Sequence, residues 1–185
     1  MDQRTGRVPP RPLVPVTRDL FRALSGSFPT GVLIIATLDE HGEPKGLTTQ
    51  AYMGLSTDPP LMLVAIDKTS RTLAALRSRG AFVINFLKAG AEDLATLFAS
   101  KSDEKFKGLR WEPAPKAGGA PILSGAALAY AACEVIEIRE AGDHVLFVVS
   151  VEAGEVLGGT PLMYYKRAYA AWPEERPAPP VDGTA

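Results

Sequence analysis

Short apolar and β-branched runs, most of them joined by hairpin-length turns, limit what this chain can become. About seven such runs are visible, at residues 32–37, 45–56, 61–66, 81–87, 127–139, 144–151 (with a further piece to 156) and a closing aromatic segment, 161–169. Between them stand Asp39-Glu40-His41-Gly42-Glu43-Pro44, Asp58-Pro59-Pro60 and Glu140-Ala141-Gly142-Asp143, turn chemistry that sends a chain back antiparallel. Three short helices fit the remaining pattern. Thr17 or Asp19 caps the first, with Leu20, Phe21 and Leu24 as its stripe and Gly26 as its stop. Leu73 and Leu76 begin the second, which Gly80 ends, and Glu92 and Asp93 suit the first turn of the third, with Leu94, Leu97 and Phe98 buried. The expected fold is mainly β, an antiparallel barrel with short helices packed outside. No Gly-x-Gly-x-x-Gly follows a strand, which argues against a doubly wound dinucleotide fold.

The chain is organised around residues 46–72, GLTTQAYMGLSTDPPLMLVAIDKTSRT. Small and hydroxylic residues lead to the Asp58-Pro59-Pro60 turn, and the unbroken apolar run at 61–66 reads as a strand covered on both faces. A polar knot follows, Asp67-Lys68-Thr69-Ser70-Arg71-Thr72. Hydroxyls, cations and free amides before a helix suit a phosphate, while an N-capped helix with solvated charges accounts for the same residues. Asn85, the one polar residue in its run, needs a partner, either backbone or ligand. Residues 100–119 form a long excursion in which Phe106, Leu109 and Trp111 fold back over something.

A length of 185 residues with 46% hydrophobic and 22% charged composition fits one ordinary globular domain. The net charge of −1 without a basic block excludes a nucleic-acid groove or an anionic membrane surface as the partner. One cysteine, Cys133, leaves no intrachain disulfide, and two histidines, His41 and His144, argue against a zinc centre, so no metal is expected. No signal-like segment and no run of ~18 apolar residues is present, so a cytoplasmic protein is expected. The expected organisation is a Pro-rich tail at 1–17, one domain at 18–172, and a disordered tail at 173–185.

Taken in order, the Thr-x-x-Ala segment from Thr48, the Asp58-Pro59-Pro60 turn, the apolar strand and the Asp-Lys-x-Ser-x-Thr knot resemble the flavin reductase family. Phe28-Pro29-Thr30-Gly31-Val32, Phe82-Val83-Ile84-Asn85, Gly142-Asp143-His144 and Pro161-Leu162-Met163-Tyr164-Tyr165 extend the match over residues 18–172. The resemblance implies an antiparallel split β-barrel of the FMN-binding type, dimeric, serving as the reductase of a two-component flavin-dependent monooxygenase. It implies FMN or FAD as flavin and NADH or NADPH as hydride donor. Carried over by position, Thr48, Thr49, Gln50 and Ala51 would line the isoalloxazine edge, with Thr30 and Gly31 close by and Ser56 toward the ribityl chain. Asp67, Lys68, Ser70, Arg71 and Thr72 would hold the ribityl hydroxyls and phosphate. His144 would face the open side where nicotinamide stacks, with Arg167 and Tyr169 as further candidates there. Gln50-Ala51 stands where the family commonly has Asn-Ser or Ser-Ser, and Gly54 where serine is usual. The absent hydroxyl at Ala51 bears on hydride transfer more than on flavin binding.

Hydride transfer needs no protein nucleophile, and the chain shows no nucleophile elbow, Cys/His pair or telling carboxylate dyad. The same absence suits a non-enzymatic flavin-binding or electron-relay protein, or a flavin-dependent oxidase on this fold. A colourless protein that turns over added flavin points to the reductase, and a retained yellow cofactor to the other two.

Overall fold

The computed structural model describes residues 14–172. The tail expected at 173–185 and the first thirteen residues of the one expected at 1–17 lie outside the described residues. In chain order the elements are α1 (Arg18–Ser25), β1 (Thr30–Gly31), β2 (Leu33–Leu38), β3 (Pro44–Thr49), β4 (Tyr52–Thr57), β5 (Pro60–Asp67), α2 (Leu73–Arg79), β6 (Ala81–Leu87) and α3 (Glu92–Ala99). Then come β7 (Glu112–Ala114), a single 3-10 turn (Pro115–Ala117), β8 (Ala120–Ile122), β9 (Ala127–Ala141), β10 (His144–Val156), β11 (Leu162–Tyr165) and β12 (Ala168–Ala171).

Seven strands form one antiparallel sheet in the order β3-β2-β6-β9-β10-β5-β4. Its outermost strands, β3 and β4, are joined in sequence by Gln50 and Ala51 alone, so the sheet has to curl until its edges meet. Ala65 N donates to the Ala51 carbonyl at 2.9 Å, which carries the β4–β5 pairing up to that corner. The sequence suggested one strand over 45–56; the chain instead breaks pairing at Gln50-Ala51 and moves from one edge of the sheet to the other.

Inside the barrel, Leu33, Ile35, Val64, Ile66, Phe82, Ile84, Cys133, Val145, Phe147 and Val149 pack together, and Leu76 of α2 joins them. Burial pushes the Cys133 thiol up to about 12, so it behaves as a small hydrophobe. Outside, Ile34 and Ala36 pack with Ala95 and Phe98 of α3. β2 is thus buried on both faces, as is β6, where Phe82 and Ile84 point inward and Val83 and Asn85 are covered on the outside. The apolar run in β5, expected to be covered on both faces, is not: Val64 and Ile66 point inward, while Leu61, Leu63 and Ala65 remain partly exposed. The reason is placement, since α3 lies on β2 and β3 at the opposite side of the order.

Asn85 is fully buried and pins three segments. Its amide donates to the carbonyls of Ile34 and Pro121, at 3.3 and 3.2 Å, and its oxygen accepts from Leu123 N at 2.8 Å. The excursion after α3 folds onto that helix: Phe106 meets Phe98 edge-on at 4.9 Å. Lys105 Nζ donates to the carbonyls of Phe98 and Gly46 at 2.7 and 3.1 Å. Gly46 has to be glycine here, because a Cβ would stand 2.7 Å from the Phe98 ring and 3.1 Å from the Ile35 carbonyl.

β1, β11 and β12 form a separate three-stranded sheet beside the barrel end. Tyr165 pairs with Ala168, so Lys166 and Arg167 alone make the hairpin turn, with φ of 47° and 67°. A two-residue turn with positive φ at both positions favours Asn-Gly, and side chains with a Cβ are strained there by ~1–2 kcal/mol each. α1 is capped as expected, with Leu20 N donating to Thr17 Oγ1 at 3.1 Å, but buries none of its residues. Among the described residues no helix is long and apolar enough to cross a membrane.

Candidate functional site

Closing the sheet brings the Thr48–Ala51 corner beside the start of β10 and the end of β5. His144 is the direct cross-strand partner of Asp67. A cavity of about 360 Å³ opens there, lined by Val32, Leu47, Thr48, Thr49, Gln50, Ala51, Ala65, Asp67, Ala99, His144, Tyr164 and Tyr169. Residues from five strands and α3 therefore converge on one space.

Several polar groups around it are already fixed. Thr48 Oγ1 donates to the Ala95 carbonyl at 2.7 Å, and Thr49 Oγ1 accepts from Ala51 N at 3.1 Å. Thr30 Oγ1 donates to Gln50 Oε1 at 2.9 Å, which leaves the Gln50 amide nitrogen available to donate elsewhere. His144 Nδ1 lies 2.7 Å from Asp143 Oδ1, and that contact holds the Asp143 carboxyl below its ordinary range. An ionised carboxylate only accepts, so Nδ1 carries the hydrogen and Nε2 of the neutral ring is an acceptor. Asp67 is turned to its own loop, where Thr69 N and Thr69 Oγ1 both donate to it at 2.7 Å and lower its carboxyl.

Of the residues singled out from the sequence, Thr48, Thr49, Gln50, Ala51, Asp67, His144 and Tyr169 line this cavity. Thr30 touches it only through Gln50, and Gly31 pairs with Met163 in the small sheet. Ser56 pairs with Leu61 at the far end of β4 and does not reach it. The rest of the knot is engaged within the chain. Lys68 pairs with Glu140, which also holds Arg77, and Arg71 pairs with Asp103 at 2.9 Å. Ser70 Oγ accepts from Thr72 N at 3.3 Å, and the buried Thr72 hydroxyl donates to the Gly46 carbonyl at 3.0 Å. Arg71, Thr72, Lys45 and Lys105 border a small cavity of about 110 Å³ of their own.

Sequence reasoning passed over Leu47, Ala65, Ala99, Val32 and Tyr164. Strand alternation could have found two of them, since Leu47 precedes Thr49 by two residues and Ala65 precedes Asp67 by two, each on its partner's face. Tyr164 and Tyr169 are cross-strand partners whose rings lie 5.2 Å apart. A second cavity of about 230 Å³ adjoins the first, sharing Gln50 and Tyr164; Phe21, Arg22, Ser25, Gly26, Phe28, Lys166 and Arg167 complete it. Arg167 belongs to this second space rather than to the first.

The family model described as "Flavin reductase like domain" matches residues 25–173. The chain is 44% identical over 164 residues to a flavin reductase (NADH) of Kitasatospora aureofaciens, covering 86% of this chain and 84% of that one. It is 36% identical over 160 residues to the flavin-dependent monooxygenase, reductase subunit HsaB, of Rhodococcus jostii, covering 86% and 80%. Among solved structures, a nitrilotriacetate monooxygenase component B homologue from Mycobacterium thermoresistibile superposes with a TM-score of 0.80 at 32% identity, over 90% of this chain and 93% of that one.

The buried Thr72 hydroxyl gives a prediction of its own. Thr72→Ala removes one of the two donors to the Gly46 carbonyl and is expected to cost ~1–2 kcal/mol of folding stability. Urea denaturation measures it; an unchanged midpoint would show that Lys105 satisfies that carbonyl alone.

Proposed function

The chain belongs to the flavin reductase-like family, and from that premise we propose that it is an NAD(P)H-dependent flavin reductase handing reduced flavin to a partner monooxygenase. The observation that carries this is the composition of the first cavity. It offers apolar walls, an edge of backbone and amide groups, and one histidine with a free ring nitrogen, but no nucleophile. Ala51, Ala65 and Ala99 let a planar ring approach the backbone closely, and Val32 and Leu47 add apolar surface. That lining fits an isoalloxazine. When bound, the flavin supplies the hydride acceptor, its N5, to which reduced nicotinamide delivers a hydride.

The chain's own part is to bind, orient and exclude water. Thr49 and the Gln50-Ala51 corner hold the ring edge, and the Gln50 amide, kept in place by Thr30, donates where Ala51 has no hydroxyl to offer. Ser70 and Arg71 face the flavin phosphate. The Arg71–Asp103 pair joins half-exposed and mostly exposed side chains, so it is weak and readily exchanged for a phosphate. His144 positions the nicotinamide through Nε2 while Asp143 fixes its tautomer, and Tyr169 borders the same side. FMN and FAD both fit these roles, as do NADH and NADPH. A cytoplasmic location is part of the same reading.

A second copy of the chain completes the site. Met53, Leu63, Ala65, Leu146 and Val148 are neighbours in register on the outer face of β4, β5 and β10, and the strip runs into the cavity at Ala65. Met53 is 50% exposed and Leu55, beside it, 44%. Such a strip, continuous with a binding cavity, is the expected centre of a homodimer interface.

Three outcomes follow from these roles. Arg71→Ala should weaken FMN by ~1–2 kcal/mol and leave riboflavin, which has no phosphate, unaffected; equal losses for both in equilibrium titration would place the phosphate elsewhere. His144→Ala should raise the nicotinamide KM or slow the hydride step, with flavin Kd and melting temperature near those of the parent. Stopped-flow reduction beside thermal melting decides this, and a lower melting temperature with a normal reduction rate would make His144 structural. Sedimentation at micromolar concentration should give a dimer, its interface burying more than ~1,000 Å². A monomer there would leave the apolar strip without its proposed cover.

A further inference from the structure

We propose that the cavity between α1 and the β11–β12 turn is a second subsite, one that takes the phosphate-bearing tail of the nicotinamide dinucleotide while its ring occupies the first cavity. The proposal rests on the reductase reading above and adds a residue set to it. Three cations, Arg22, Lys166 and Arg167, line the space, and no carboxylate does. Arg22 has only Asp19, at 3.7 Å and on the exposed side of α1. Lys166 and Arg167 make no ion pair among the described residues; the Lys166 ammonium lies 5.1 Å over the Tyr165 ring. Phe21, Phe28 and Tyr164 supply aromatic surface beside the cations, a combination that suits a base joined to phosphates. Because the two cavities share Gln50 and Tyr164, one extended molecule can reach from ring site to tail site.

The turn adds a second, independent observation. Lys166 and Arg167 both sit at positive φ, where Asn-Gly would be relaxed. Strain held by two cations that also border a cavity is the pattern expected when the side chains serve a ligand rather than the turn. The ligand chemistry is a pyrophosphate or phosphate ester. Since Ser70 and Arg71 take the flavin phosphate in that reading, and Arg71 borders a different cavity from this one, the tail here is assigned to the hydride donor.

The test uses Lys166→Asn combined with Arg167→Gly, which relaxes the turn while removing its charge, and separately Arg22→Gln, which leaves the turn alone. Calorimetric titration with ADP-ribose, a tail without a nicotinamide ring, is expected to show ~10-fold weaker binding in both variants, as charge-assisted contacts are lost. The double variant should melt at the same or a higher temperature than the parent, the KM for NADH or NADPH should rise, and the Kd for FMN should hold. Unchanged ADP-ribose binding overturns the subsite. A lower melting temperature with uniform losses overturns it too, because the turn would then be structural. Selective loss of FAD affinity with an unchanged nicotinamide KM would give the tail to the flavin and overturn the assignment made here. A parent that reduces no flavin would sink the reductase reading and with it the ring site. Loss of ADP-ribose binding in the variants would still mark a nucleotide-tail site in that case.

Discussion

A link of two residues governs this fold. Gln50 and Ala51 join strands at opposite edges of a seven-stranded order, so the sheet cannot remain open. The chain spans at most ~3.6 Å per residue, which leaves no slack for any other arrangement. Closure makes an inside and an outside of every strand, and the candidate site forms at the corner where both contribute, Leu47 from the inner face and Ala65 and Asp67 from the outer. It also explains why the corner is built from small residues. The Ala51 carbonyl must accept from Ala65 N, continuing the β4–β5 pairing, and the Thr49 hydroxyl must turn back to Ala51 N, within one bend.

The Gly46 carbonyl is a second point on which elements meet. Thr72 at the start of α2 and Lys105 in the excursion both donate to it, and the Phe98 ring lies where a side chain at Gly46 would be. Burial lowers the Lys105 ammonium from its ordinary value, so this tie is made by a cation partly withdrawn from water, with the Phe98 carbonyl and ring as further company. Helix α2, helix α3 and the excursion are thereby registered against β3 directly before Leu47 and Thr48 enter the cavity. The polar knot divides accordingly. Thr72 serves the barrel, Lys68 serves the β9–β10 hairpin through Glu140, and Arg71 with Ser70 stays nearer the surface.

How much of this the sequence disclosed depends on whether the controlling interaction was local. Turn chemistry and apolar periodicity located the longer strands and the three helices, because both act over a few residues, but not the short β1, β7 and β8, which have too few residues to show a period. The break at Gln50-Ala51 was not legible, since each half of residues 45–56 reads as strand and only the pairing partners, β2 and β5, separate them. Coverage of β5 was misread for a related reason: an apolar run reports that burial is possible, not which helix arrives. The family resemblance drew Thr48, Thr49, Gln50, Ala51, Asp67, His144 and Tyr169 from distant parts of the chain, and these line one cavity. It did not reveal that the Thr72 hydroxyl is buried, or that Arg22 stands near Lys166 and Arg167, because both are facts of side-chain direction after closure.

A reductase of this kind places few demands of reactivity on its side chains, and the chain's ionisable groups are distributed to match. The lone thiol is sealed in the core and Asp67 is spent on its own turn. The histidine is held by a neighbouring carboxylate that fixes its tautomer. What remains for selection is geometry and charge at the periphery: how closely a ring can lie on the small residues of the corner, and which phosphates the surrounding cations accept. On this view the strained Lys166-Arg167 turn is the informative exception. Elsewhere positive φ in the described chain is taken by glycine. Two side chains with a Cβ tolerated in that conformation, at the mouth of a cavity, indicate that something other than folding stability decided those positions.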